Sequence, residues 1–340
     1  MTNRSNFPLV IWLFVVSVMV FMMVMIGGIT RLTDSGLSMV DWKPLMGTIP
    51  PLTDQQWQES FEQYKAYPEY KLVNHHRGMK LAEYKQIFFW EYFHRLFGRL
   101  IGLAFFFPFV YFWMKKKIPQ GFKPKLMIAF GLGALQGLMG WYMVKSGLVN
   151  EPDVSHYRLA AHLGLAFLII AYLYYLILQL SYPQRNQFKK NQSKRYLTVF
   201  GVVLFIQIIL GAFVAGLDGG LTHNTFPKMG RYWIPNEVFE FVGLDAYLHS
   251  TVVVQFIHRL FGWVLFFLSG FMFFLANKTF DEDQRRAWYY LASFVYVQFL
   301  LGVMTILYFV PLSIALMHQA GACLLLLFYI RAYFFTTRSK

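Results

Sequence analysis

The sequence predicts an all-α polytopic membrane protein with eight transmembrane helices. It further predicts two tandem four-helix bundles related by a pseudo-two-fold axis along the membrane normal. Three observations carry this. Of 340 residues, 57% are hydrophobic and 20% aromatic, while only 14% are charged, against about one-quarter charged in a soluble domain. The apolar residues gather into eight runs, each near the roughly 20 residues that a bilayer-spanning helix requires. Four motifs of the first half return in the same order in the second.

The first run, about 8–28, resembles a signal peptide in position, but it lacks a small-residue cleavage site and continues into GGITRLTDSGLS, so a helix is expected. Runs at about 87–113, 125–144 and 158–180 complete a first half, 1–180. Runs at about 197–217, 247–276, 288–309 and 312–334 form a second, 181–340. The second and sixth runs are long, which predicts tilt or extension beyond the bilayer.

Lys and Arg set the orientation. The second connection, MKKKIPQGFKPK, carries five basic residues, and the fourth, SYPQRNQFKKNQSKR, also five. The sixth has Lys278, Arg285 and Arg286, and the C-terminal tail adds Arg331, Arg338 and Lys340. The third has only Lys145 and Arg158, and the fifth only Lys228 and Arg231. In the long first connection seven bases are balanced by seven acids. Both termini are therefore expected on the cytoplasmic (or mitochondrial matrix) side. The net charge of +14 reads as contact with anionic lipid rather than nucleic acid. The single cysteine, Cys323, lies in an apolar run, which excludes an internal disulfide and a thiolate metal cluster.

The repeat is explicit. HRLFG at 94–98 recurs at 258–262, QGLMG at 136–140 is matched by QFLLG at 298–302, RLAAHLG around His162 by IALMHQA around His318, and LTDSGLS at 32–38 by GLDGGLT at 216–222. Four spans per half is an even number, so both halves insert the same way up, as in parallel-repeat transporters.

Four histidines, His94, His162, His258 and His318, fall within two or three turns of the outer end of the even-numbered spans. Ionisable residues inside a membrane are costly and are functional candidates by default. Zinc usually wants carboxylates or thiolates beside His, which are mostly missing here. Copper remains open, and haem suits the layout better: facing helices can offer axial imidazoles in pairs, His94 with His162 and His258 with His318. Gly98, Gly102, Gly164, Gly262 and Gly321 would let a flat ring approach, or simply pack helices closely.

The halves differ at one ionisable position. Glu91 precedes His94 by three residues and so shares its helix face, whereas Gln255 precedes His258. Gln cannot exchange a proton at neutral pH. The contrast predicts divided roles, chemistry in the first half and a structural or electron-delivering haem in the second. Arg95, Arg99 and Arg259 could pair with haem propionates, snorkel, or pair with Glu91. His75 and His76 read as solvated, and His156, His223 and His249 as interfacial. Trp42, Pro44, Pro50, Pro51, Trp57 and Trp233 read as interfacial anchors or a cap.

Taken together, GGITRLTDSGLSM, DWKPLMGTIPPL, EYFHRLFGR, RLAAHLG, NTFPKMGRYWIP, FIHRLFGW and LMHQAG resemble the haem A synthase family over nearly the whole chain. The long first connection and the absence of a cysteine pair resemble its proteobacterial and mitochondrial branch. The resemblance implies oxidation of the C8 methyl of haem O, through two hydroxylations and loss of water, to the formyl group of haem A. It places the substrate between His94 and His162, makes Glu91 the catalytic carboxylate, and makes His258 and His318 the ligands of a haem b cofactor. It also implies haem O synthase and the cytochrome oxidase assembly machinery as partners, together with an unidentified electron donor; a homo-oligomer is left open. The short stretch before the first span, with no Arg- and Ser-rich transit pattern, favours a bacterial inner membrane over the mitochondrial one. The rival readings are a non-catalytic di-haem b electron-transfer cytochrome and a haem transporter.

Overall fold

The structure, a computed structural model, describes residues 6–39, 49–147, 153–185, 187–188, 193–240, 243–279 and 281–339. Eight of its helices are long and apolar enough to cross a membrane. In chain order the helices are α1 (Phe7–Leu32), α2 (Asp54–Lys65), α3 (Leu81–Met114), α4 (Lys123–Gly147), α5 (His156–Ser181), α6 (Ser193–Gly216), α7 (Glu237–Glu240), α8 (Leu244–His249), α9 (Thr251–Thr279), α10 (Glu282–Leu307) and α11 (Leu312–Thr337). The spans are α1, α3–α6 and α9–α11. As expected, the second and sixth are the longest, at 34 and 29 residues.

Local chemistry explains the boundaries that hydropathy missed. The sixth apolar run, expected to begin near 247, is broken at Ser250, whose extended backbone separates α8 from α9. α10 starts at Glu282 rather than near 288, because Asp281 caps it by accepting the Gln284 N–H at 2.9 Å while its polar first turn hides from an apolar search. α2 was not expected. It is polar overall and is defined by a capping box, in which Thr53 accepts from the Gln56 N–H and Gln56 accepts from the Thr53 N–H. α3 begins at Leu81 and projects toward α2, so that Tyr84 and Phe88 bury against Phe61, Tyr64, Trp57 and Met39. Pro50 and Pro51 are half-buried before this cap. Trp233 is exposed, and Trp42 and Pro44 lie outside the described residues. Within α3, Pro108 cannot donate to the Ala104 carbonyl, and Trp12 Nε1 of α1 donates to that oxygen instead at 2.9 Å.

Within the first four spans α1 meets α3 and α5, and α4 meets α3 and α5; within the last four α6 meets α9 and α11, and α10 meets α9 and α11. Between these sets α5 meets α6, α11 meets α1, and α5 meets α11. This contact pattern maps onto itself when the two sets are exchanged. The apolar core runs along their shared seam, through Leu13, Val20, Phe167, Leu173, Leu204 and Leu326 among others. On the terminal side a short antiparallel pair, β1 (Gln187–Phe188) with β2 (Arg338–Ser339), joins the connection between the sets to the C-terminal tail. Arg185, buried beside it, pairs with Asp283 at 2.6 Å.

Candidate functional site

The recurring LTDSGLS and GLDGGLT stretches are the turns that follow α1 and α6. Each turns on an aspartate in the left-handed region, Asp34 (φ 48°) and Asp218 (φ 51°), a conformation that the short Asp side chain tolerates. Arg31 bridges the two turns, reaching Asp34 Oδ1 at 3.1 Å and Asp218 Oδ1 at 2.9 Å.

The first turn delivers Ser38 and Met39 to Glu91, which is 3% exposed. The Ser38 hydroxyl donates to Glu91 Oε2 at 2.7 Å, the Met39 N–H donates to the same oxygen at 2.6 Å, and Arg95 pairs with Oε1. Arg95 also donates to the Met39 carbonyl at 2.9 Å. Among the described residues the carboxylate's three partners are all donors, and Glu91 meets them as an acceptor.

The second turn makes the corresponding contacts with opposite polarity. Gln255, 1% exposed, donates through Nε2 to the His223 carbonyl at 3.1 Å and accepts from the Thr222 hydroxyl at 3.5 Å. Arg259 donates to the carbonyls of His223 at 2.5 Å and Thr225 at 2.8 Å. The backbone thus presents an N–H to Glu91 and a C=O to Gln255. The sequence contrast is therefore a complementary fit between each side chain and its own turn. Arg95 and Arg259 are thus engaged by the turns of their own halves. Arg99 lies one turn beyond Arg95 on α3 and is half-buried.

All four histidines are half-buried. His162, His258 and His318 sit six or seven residues into α5, α9 and α11. His94 sits thirteen residues into α3, the excess being the extension that meets α2. His94 and His162 lie within electrostatic range of one another, as do His258 and His318. Each ring rests on a glycine of the preceding span. A Cβ built on Gly27, Gly140, Gly211 or Gly302 would stand 3.2, 3.2, 3.1 or 2.9 Å from Cε1 of His94, His162, His258 or His318 respectively. A methyl group there would press on the ring, by a few tenths of an ångström at the first three and most at Gly302, where the contact falls below 3.0 Å. The glycines singled out from sequence do other work: Gly98, Gly164, Gly262 and Gly321 pack against side chains of neighbouring helices, and nothing lies within 4 Å of a Cβ on Gly102.

Glutamines that the sequence reading missed hold several rings. Gln136 Nε2 lies 3.3 Å from His162 Nε2 and donates to the His162 carbonyl at 3.1 Å. Gln298 Nε2 lies 3.1 Å from His318 Nδ1 and donates to the His318 carbonyl at 2.8 Å. Gln207 Nε2 lies 3.5 Å from His258 Nε2. The signal was present in the sequence as Gln four residues before each glycine, in QGLMG, QIILG and QFLLG. Of the remaining histidines, His75 and His76 are exposed, while the His156 and His249 rings stand 4.9 Å apart beside Asp245.

The donor set fits haem iron. The Nδ1 atoms of His94, His162 and His258 are buried without a hydrogen-bond partner, an arrangement that is costly unless the imidazole serves another purpose. Two imidazole pairs among apolar and aromatic side chains can hold the iron of two flat macrocycles. Among the described residues no group of three or more His, Cys, Asp and Glu could hold a bare metal ion, and Cys323 is buried and free.

Comparison with known proteins agrees in extent. Residues 10–330 match the COX15-CtaA family model, described as cytochrome oxidase assembly protein. A protein of Nitrosospira multiformis named heme A synthase is 50% identical, over 94% of this chain and 90% of its own length. One of the same name from Flavobacterium johnsoniae is 45% identical, over 95% of this chain and 96% of its own length, and one from Rickettsia felis is 42% identical over the same shares. With the match running nearly end to end and both imidazole pairs inside it, the chain belongs to the COX15-CtaA family of cytochrome oxidase assembly proteins.

Proposed function

We infer that this chain is a haem A synthase, oxidising the C8 methyl of haem O to a formyl group by successive hydroxylations and so supplying haem A to terminal oxidases. The observation that carries this is near-full-length identity of 41–50% to proteins of that name. Removing hydrogen from a methyl group needs an oxidant stronger than any side chain, and haem iron supplies that chemistry.

The chain's own residues bind, orient and set charge. His94 and His162 grip the substrate iron in the first half, 1–180, and His258 and His318 hold a haem b in the second, 181–340. The exchange symmetry of the helix contacts supports a pseudo-two-fold relation between these halves. Glu91 is the catalytic carboxylate. Its three donors support a role as a fixed negative charge one turn from His94, favouring positive charge at a reacting carbon, over a role as a mobile proton carrier. Arg95, Arg99 and Arg259 are the candidates to meet haem propionates. The protein lies in a bacterial inner membrane with both termini cytoplasmic, receives its substrate from haem O synthase, and draws electrons from a donor the sequence does not name.

Glu91→Gln tests the assignment. The protein should still fold and hold haem b, while haem A output stops. Normal haem A from that variant would refute the catalytic role, and haem b alone in both halves of the wild-type protein would make the chain a di-haem cytochrome.

A further inference from the structure

The glutamine–glycine device recurs on three of the four odd-numbered spans and fails on one. Gln136 and Gly140 on α4, Gln207 and Gly211 on α6, and Gln298 and Gly302 on α10 each present an amide and a glycine to one histidine ring. On α1 the glycine is kept as Gly27, under His94, but the residue four positions earlier is Met23. Met23 occupies the slot that Gln207 fills in the second half. Its Cε lies 3.3 Å from a Cβ built on Gly98, and Gln207 Nε2 lies 3.6 Å from a Cβ built on Gly262, the matching glycine of the second HRLFG. Among the described residues the His94 ring meets no glutamine amide. The nearby Gln319 donates instead to the α1 backbone, at Val24 O, 2.6 Å away.

An amide at the edge of an imidazole resists rotation of the ring, because turning leaves a buried polar group unpaired. A thioether offers no such restraint and adapts to whatever volume the ring vacates. Chemistry at a haem iron requires a coordination position that can open, whereas a resident haem b needs both ligands held. Among the described residues His94 is the one of the four imidazoles that meets no glutamine amide, and it shares its helix with Glu91, one turn away.

We propose that His94 is the imidazole that releases the substrate iron, and that Met23, standing where the other three spans carry glutamine, is the residue that permits release. The proposal rests on the haem assignment above. The step breaks one coordinate bond, with the electron pair staying on the His94 nitrogen and the iron gaining an open position. His162, held at ring and carbonyl by Gln136, keeps the substrate in place.

Carbon monoxide, added to dithionite-reduced protein loaded with haem O and haem b, reads this directly without turnover. In the wild type the haem O should bind carbon monoxide and the haem b should not. Met23→Gln should lower carbon monoxide binding at haem O about tenfold, Met23→Leu should preserve it, and Gln207→Met should confer binding on haem b. His94→Ala should retain haem O, and His162→Ala should lose it. Unchanged binding in Met23→Gln at equal haem O content would overturn the proposal, as would retention of haem O by His162→Ala and its loss from His94→Ala. Haem extraction from the same samples separates the two layers of argument. If no haem O or haem A enters the first half, the functional assignment itself fails; if haem O is bound but the Met23 and Gln207 variants do not respond, only the release mechanism fails.

Discussion

Gly302→Ala probes the second imidazole pair with a single methyl group. The new Cβ would stand 2.9 Å from His318 Cε1 and 3.5 Å from both ring nitrogens. Carbon atoms prefer about 3.5–4.0 Å, so the ring must retreat by roughly 0.6–1.1 Å, beyond the tolerance of about 0.5 Å within which a ligand geometry still works. His318 cannot yield easily, because Gln298 holds both its ring and its carbonyl. Overpacking of this kind costs about 1–3 kcal/mol, which corresponds to haem b retention weakened by roughly 5- to 150-fold. The helix itself should not suffer, since Ala is a better helix former than Gly by about 1 kcal/mol. The assay is haem b per polypeptide by pyridine haemochrome after purification, with the position of the Soret band reporting ligation. Gly133→Ala is the matched control, because nothing lies within 4 Å of a Cβ there; it should leave haem content intact. Full haem b with an unshifted Soret band in Gly302→Ala would refute the claim that the imidazole is seated on that glycine.

Further outcomes follow from the same geometry. Arg95→Met strands Glu91 without its cation in a pair whose side chains are only 7% and 4% exposed, so it should destabilise the fold by about 3–5 kcal/mol. Arg259→Met loses only bonds to carbonyls and should shift thermal unfolding in detergent less; equal shifts would argue against the Glu91 pairing. In the α2 cap, burial first, and then the charges of Glu91, Asp34 and Asp153, push the Glu69 carboxyl from 4.5 up to about 8, against the bond it accepts from Tyr64 at 3.0 Å. A raised carboxyl pKa means that the folded cap binds more protons than the unfolded one, so its stability is full below about pH 4.5 and is lost as pH rises through about 8. Hydrogen exchange of amides in 54–65 and 70–74 should therefore accelerate beyond the intrinsic rate as pH rises from about 4.5 to about 8, and follow the intrinsic rate above that. Glu69→Gln should flatten that dependence, and an unaltered pH profile in the variant would count against it.

What the sequence determined by itself was whatever depends on local pattern. Apolar runs long enough to cross a bilayer read out all eight spans, because the bilayer imposes a length and a composition on each segment independently of its neighbours. Recurrence of HRLFG and of the aspartate turns disclosed the duplication, and the contrast of Glu91 with Gln255 marked the position where the halves diverge. The α2 helix escaped because it is polar overall, and the few aromatic side chains it buries against α3 make no apolar run. The partners that give each site residue its chemistry were decided by tertiary structure. Ser38 and Met39 lie more than 50 residues from Glu91 in the chain, and Arg31 lies 187 from Asp218. Whether a glycine faces an imidazole or lipid depends on the rotation of one helix against another, and no local periodicity records that rotation. Gly302, under His318, and Gly133, in open space, both lie within apolar spans and differ only in the face they turn inward.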